Sequence, residues 1–187
     1  MVQSKWNEVK TSMCRLIAAF KLVGKDFRNA NFEECIRKNA YVNFNWAGDG
    51  PLRDRILSEL NHYDNFHWLG SLEHPDKVRE YLSEIDVYAL VTGMDLAPLS
   101  LKEAQLMRKP VIATDVGGNP EMMVNGKTGF LTEKGNPEQL IEKISTLLSD
   151  EDLAKKMGSE GRKFVEETFN WELITKNFIK IVNSHLK

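Results

Sequence analysis

The chain has 187 residues, 42% of them hydrophobic and 28% charged, a balance that suits one well-buried domain of ordinary size. A formal net charge of −2, with Lys and Arg scattered among acids, gives no electrostatic case for nucleic acid. No apolar run approaches the roughly 20 residues that span a bilayer, and Cys14 and Cys35 show neither CxxC spacing nor a disulfide framework.

The N-terminal segment is amphipathic without an apolar signal core, so a reduced, cytoplasmic compartment is expected. Over residues 6–23 the apolar positions Val9, Met13, Leu16, Ile17 and Phe20 fall at helical spacing and predict a helix. A weaker helix is expected over 32–38. Residues 41–47 have strand composition and stop at the turn Gly48-Asp49-Gly50-Pro51. A helix over 52–60, a strand over 66–69 ending at Gly70, and a helix opened by Pro75 follow. Val87 to Val91 is a continuous apolar run, as expected of a strand buried on both faces.

Residues 110–114 predict another strand. Asn119 then reads as an N-cap, with Pro120 at the first helical position and Glu121 in the first turn. A turn and short strand over 126–131 precede helices from Asn136-Pro137 to about 148, over 152–169 and over 171–186. His62, His67, His74 and His185 show no metal-ligand spacing and read as structural or surface residues. Strands separated by helices predict an α/β fold with a Rossmann-like, doubly wound parallel sheet, residues 1–187 forming a single domain.

Ligands of such sheets sit outside the carboxyl ends of the strands. The turns after Trp46, Leu69, Val91 and Thr114 are therefore the places for chemistry. After Val91 come Asp95, Pro98, Leu99, Ser100 and Glu103. Ser100 to Glu103 fits S-x-x-E, a capping box in which Ser100 caps a helix and Glu103 returns to its amide. The same helix start could instead present free N–H groups to a diphosphate, flanked by two carboxylates able to accept from vicinal hydroxyls.

Asp95-x7-Glu103, Lys109 to Glu121, Asn125 to Leu131 and Pro137 to Leu140 resemble the C-terminal half of glycosyltransferase family 4. Leu16 to Phe20, Ala47 to Leu52, Phe66 to Gly70 and Phe169-Asn170-Trp171 match in the same order. The resemblance implies one half of a GT-B fold with C-terminal helices, and the donor site of a retaining hexosyltransferase. Asp95 would act at the donor sugar and Glu103 at the ribose, while the helix start at Leu99 and Ser100 would meet the diphosphate, with Pro98 also in the donor site. Gly48, Leu69 and Gly70 would flank the base, and Gly117 and Gly118 would allow close approach.

The first acid is Asp where the family has Glu. The family's basic clamp, an Arg and a Lys just after the first strand of this half, is not recognisable, and Lys5 and Lys10 are the candidates for the lysine's place. The first strand is expected to be cut short. The resemblance implies no cofactor beyond the nucleotide sugar, which would be of UDP or GDP type, and no metal. It also implies an N-terminal acceptor domain as partner, absent here, through which any membrane association would run; the domain alone would transfer little. Rival readings are a non-catalytic binding or assembly module and a nucleotide-sugar epimerase of the same fold.

Overall fold

A computed structural model of the protein describes residues 15–18, 35–37 and 42–185. Strands β1 (Arg15–Ala18), β2 (Asn43–Ala47), β3 (Phe66–Gly70), β4 (Val87–Leu90), β5 (Val111–Thr114) and β6 (Gly129–Thr132) form one sheet. Neighbours pair in parallel in the order β3-β2-β1-β4-β5-β6. That is the doubly wound Rossmann order, with the winding reversing between β1 and β4. Residues 35–37 are helical, and after β2 come helices α1 (Arg53–Leu60), α2 (Asp76–Glu84), α3 (Leu99–Leu106), α4 (Pro137–Ser149), α5 (Glu151–Thr168) and α6 (Trp171–His185).

β1 corrects one expectation. Residues 15–18 are a strand at the centre of the sheet, paired with both β2 and β4, and not part of a helix. A short apolar run buried in a parallel sheet has no alternation, and periodicity alone cannot distinguish it from a helix face.

The sheet divides the core into two layers. Val87, Ala89 and Val91 face one layer with Ile56 and Leu60 of α1 and Leu140, Ile144 and Leu147 of α4. Tyr88 and Leu90 face the other, with Tyr81 and Leu82 of α2 and Leu101 and Ala104 of α3. Every residue of β4 is buried, as a central parallel strand requires.

Two helices begin as their sequences dictate. Asn136 Oδ1 accepts from the Gln139 amide at 2.9 Å, with Pro137 in the first turn, and Asp150 Oδ1 accepts from the Leu153 amide at 2.9 Å. Asn119 departs from expectation. It opens only a 3-10 turn (Asn119–Glu121), and its buried side chain donates Nδ2 to the Thr114 carbonyl at 2.8 Å instead of capping. Helix α6 buries no residue and exposes Trp171, Phe178, Ile179 and Ile181. Among the described residues no helix is long and apolar enough to cross a membrane.

Candidate functional site

A cleft of about 520 Å³ opens at the carboxyl ends of β2 and β4. Trp46, Gly48 and Pro51 to Arg53 form one wall, and Asp95 and Ala97 to Ser100 form the other. Trp46 and Trp68 stack at the base of the first wall, with ring centroids 5.8 Å apart and planes inclined by 23°. Arg53 is the cation among the described lining residues and pairs with Asp49 at 3.6 Å. The sequence signal for it was the turn before α1, read there only as punctuation.

Helix α3 aims its amino end into this cleft. Pro98, extended at φ −63° and ψ 115°, is the N-cap and supplies no side-chain acceptor. First-turn N–H groups have no partner within the helix, so they present positive partial charge to the cleft. The capping-box expectation is thereby corrected. Pro98 starts the helix two residues earlier than S-x-x-E requires, which places Ser100 inside the first turn. Glu103 does not return to the Ser100 amide; its Oε1 lies 2.8 Å from Nε2 of His74, on the loop after β3.

The loop that carries Asp95 is fixed from behind. Thr92 donates its amide to Thr114 Oγ1 at 3.1 Å, and the Thr114 hydroxyl donates to the Thr92 carbonyl at 2.7 Å. Gly118 donates its amide to the Asp95 carbonyl at 2.8 Å. A Cβ at Gly117 would stand 2.1 Å from the Asp95 carbonyl oxygen, and one at Gly118 would stand 1.7 Å from that of Leu96. Gly117 has φ +54°, which also favours glycine. The glycine pair thus admits the backbone of the acid loop.

Tyr88, beneath the start of α3, was missed by sequence reasoning, where it is one apolar-run residue. Its buried hydroxyl adjoins the Ser100 side chain but makes no hydrogen bond of acceptable geometry among the described residues. Burial pushes this hydroxyl far above the ordinary tyrosine range; Glu103 and Asp95 push it further, and only Ser100 opposes. Ser100, Glu103 and Asp95 therefore all act electrostatically on one buried point.

The structure brings Asp95, Pro98, Leu99, Ser100 and Gly48 to one cleft. Gly48 donates its amide to the Gly70 carbonyl at 2.9 Å, tying the two turns together. Leu69 is a core residue packed with Tyr81 and Leu82 of α2 and does not line the cleft. Glu103 stands one helical turn behind the cleft wall, its side chain 24% exposed. Lys5 and Lys10 lie outside the described residues and precede β1 in the chain. Among the described residues no group of three or more His, Cys, Asp or Glu could hold a metal ion.

The family profile of glycosyl transferases group 1 matches residues 15–164. The chain belongs to this family. As a group 1 glycosyl transferase chain it is 35% identical over 131 residues to the N-acetyl-alpha-D-glucosaminyl L-malate synthase of Bacillus anthracis, covering 70% of this chain and 34% of that one. It is 42% identical over 85 residues to the capsular polysaccharide biosynthesis glycosyltransferase CapM of Staphylococcus aureus, covering 46% of this chain and 22% of the relative. The chain thus spans about a third or less of these two relatives. It superposes on Anabaena Alr3699/HepE, solved in complex with UDP and glucose, with a TM-score of 0.78. At 18% identity, covering 98% of this chain and 52% of that one, the likeness shows the fold alone. The fold expectation holds: this group 1 glycosyl transferase chain is one half of a GT-B architecture, with helices at its C-terminal end.

Proposed function

We propose that the domain binds the nucleoside diphosphate sugar of a retaining hexosyltransferase, with a glycan or lipid-linked molecule as acceptor. One observation carries the reading: the uncapped amino end of α3 opens into the switch-point cleft with Asp95 beside it. Backbone N–H groups and the Ser100 hydroxyl would hold the diphosphate. Asp95 would meet the donor sugar and Glu103 the ribose, while Trp68 and the turn at Gly48 flank the base. In the reaction the C1–O bond to the diphosphate breaks and the acceptor oxygen bonds C1. The acceptor's hydroxyl proton passes to the released diphosphate. Donors fixed before the reaction stabilise the charge that develops on the leaving group.

The described cleft carries two acids and one Arg, a poor balance for a diphosphate. In the family the clamp follows the first strand, and here that strand ends at Ala18. In chain order the first cations after it are Lys21 and Lys25, both outside the described residues. They are better placed in the chain than Lys5 and Lys10, and we assign them the clamp.

The exposed apolar face of α6 supports a second folded unit as partner, which would carry the acceptor groove. A cytoplasmic setting and a reaction without metal belong to the same reading. Titration of the chain with UDP, GDP and ADP, followed by thermal unfolding, tests it. A bound nucleotide at 100 times its Kd raises stability by about 2.7 kcal/mol. The absence of any shift at millimolar concentrations would remove the donor site. Product analysis of the full-length protein with labelled donor separates transfer from epimerisation.

A further inference from the structure

We infer that His74 is a positioning residue that orients Glu103 for the ribose; the inference rests on the donor-site reading above. The two residues are 29 positions apart, one on the loop after β3 and one on α3, and they meet at 2.8 Å. A carboxylate only accepts hydrogen bonds, so Nε2 of His74 carries the proton and donates to Oε1. This fixes one oxygen and leaves Oε2 to accept from a ribose hydroxyl.

The pairing also answers a geometric problem. Glu103 sits a full turn behind the cleft wall, on a helix whose side chains lean toward its amino end. Without a partner the carboxylate would sample several rotamers over solvent. A donor reaching in from the loop after β3 selects the rotamers that keep the carboxylate on the side of α3 facing that loop. Holding one oxygen before the ligand arrives lowers the ordering cost paid on binding. His74 is itself largely exposed, its side chain 60% accessible, so its packing contributes little to the fold.

The test compares the tightest-binding of UDP, GDP and ADP with its 2′,3′-dideoxy form on the intact 187-residue chain. His74→Ala is expected to weaken the ribonucleotide about three- to tenfold, the range of one charge-assisted hydrogen bond partly offset by solvent, and to leave the dideoxy form unchanged. His74→Gln, which keeps a donor at comparable reach, should recover most of that loss. In combination with Glu103→Ala, His74→Ala should add little, because the two act as one unit. Wild-type affinity in His74→Ala, or equal losses for both nucleotides, would overturn the role of His74 while leaving the donor site standing. Failure of the wild-type chain to bind any of the three nucleotides, or full affinity in Glu103→Ala, would instead remove the donor-site reading and this inference with it.

Discussion

Thr114 and Thr92 exchange two hydrogen bonds across the carboxyl ends of β5 and β4, one from an amide and one from a hydroxyl. Both residues are buried. The hydroxyl of Thr114 thereby satisfies the backbone N–H and C=O of Thr92, two residues past the end of β4, just before the chain enters the acid loop. Thr114→Val keeps the shape and removes both bonds, leaving a buried amide without its acceptor. The expected loss is about 1–3 kcal/mol in urea unfolding, with weaker nucleotide binding because the Asp95 loop loses its anchor.

Gly118→Ala should be worse tolerated than its size suggests. Its Cβ would meet backbone and not a flexible side chain, so the acid loop must move. A cost of about 1–3 kcal/mol or more is expected, as for other overpacked sites. Gly126→Ala is the comparison: nothing lies within 4 Å of its Cβ, and only its φ of +76° opposes the change. Gly118 itself has φ −91°, which alanine adopts freely, so a penalty no larger than that at Gly126 would show that the acid loop yields to the added carbon.

Ser100→Ala separates a cap from a ligand contact. Removal of a true N-cap costs about 0.5–2 kcal/mol, but Ser100 lies within the first turn of α3. Stability should change by less than about 0.5 kcal/mol, the level of an ordinary surface substitution, while nucleoside diphosphate affinity falls. Asp95→Asn should chiefly impair discrimination of the intact sugar nucleotide from the bare diphosphate, read by calorimetric titration of each.

Lys21→Ala and Lys25→Ala should each weaken UDP binding and steepen neither unfolding transition, whereas Lys5→Ala and Lys10→Ala should leave affinity unchanged. Competition with inorganic pyrophosphate locates the effect on the phosphates. The opposite ranking would return the clamp to the segment before β1.

Alkaline pH should expose the buried tyrosines. Burial raises Tyr81 and Tyr88 in the folded chain, Tyr81 accepting a further push from Tyr88. Each keeps its proton in the folded state where the unfolded chain releases it, so stability is full below the unfolded value of about 10 and falls above it by about 1.4 kcal/mol per pH unit per tyrosine. Urea unfolding at pH 9, 10 and 11 should show a shallower decline in Tyr88→Phe than in the wild type. Parallel slopes would mean that Tyr88 ionises freely in the folded chain.

Much of the fold was legible in the sequence because its signals are local. The apolar run at Val87 announced β4, and Asn136-Pro137 announced α4 with the very cap that forms. β1 was not legible: Leu16, Ile17 and Ala18 in succession satisfy a helix face and a central parallel strand alike, and only pairing with β2 and β4 decides. At the site, the position of Asp95 and the start of α3 could be placed from the turn after β4. The capping box misled because the proline before it, and not the serine within it, sets where the helix begins. The contacts of His74 with Glu103 and of Thr92 with Thr114 span 29 and 22 positions, and nothing local encodes them.

The central place of β1 has a consequence for biosynthesis. Leu16 pairs with Phe44 on one side and with Val87 on the other. A ribosome making this chain therefore releases β1, in the middle of the sheet, well before β4, its second neighbour. Until residues beyond Val87 emerge, β1 has a bare edge, which is the condition under which nascent strands find wrong partners. Chaperone dependence of the growing chain should fall once β4 has left the exit tunnel.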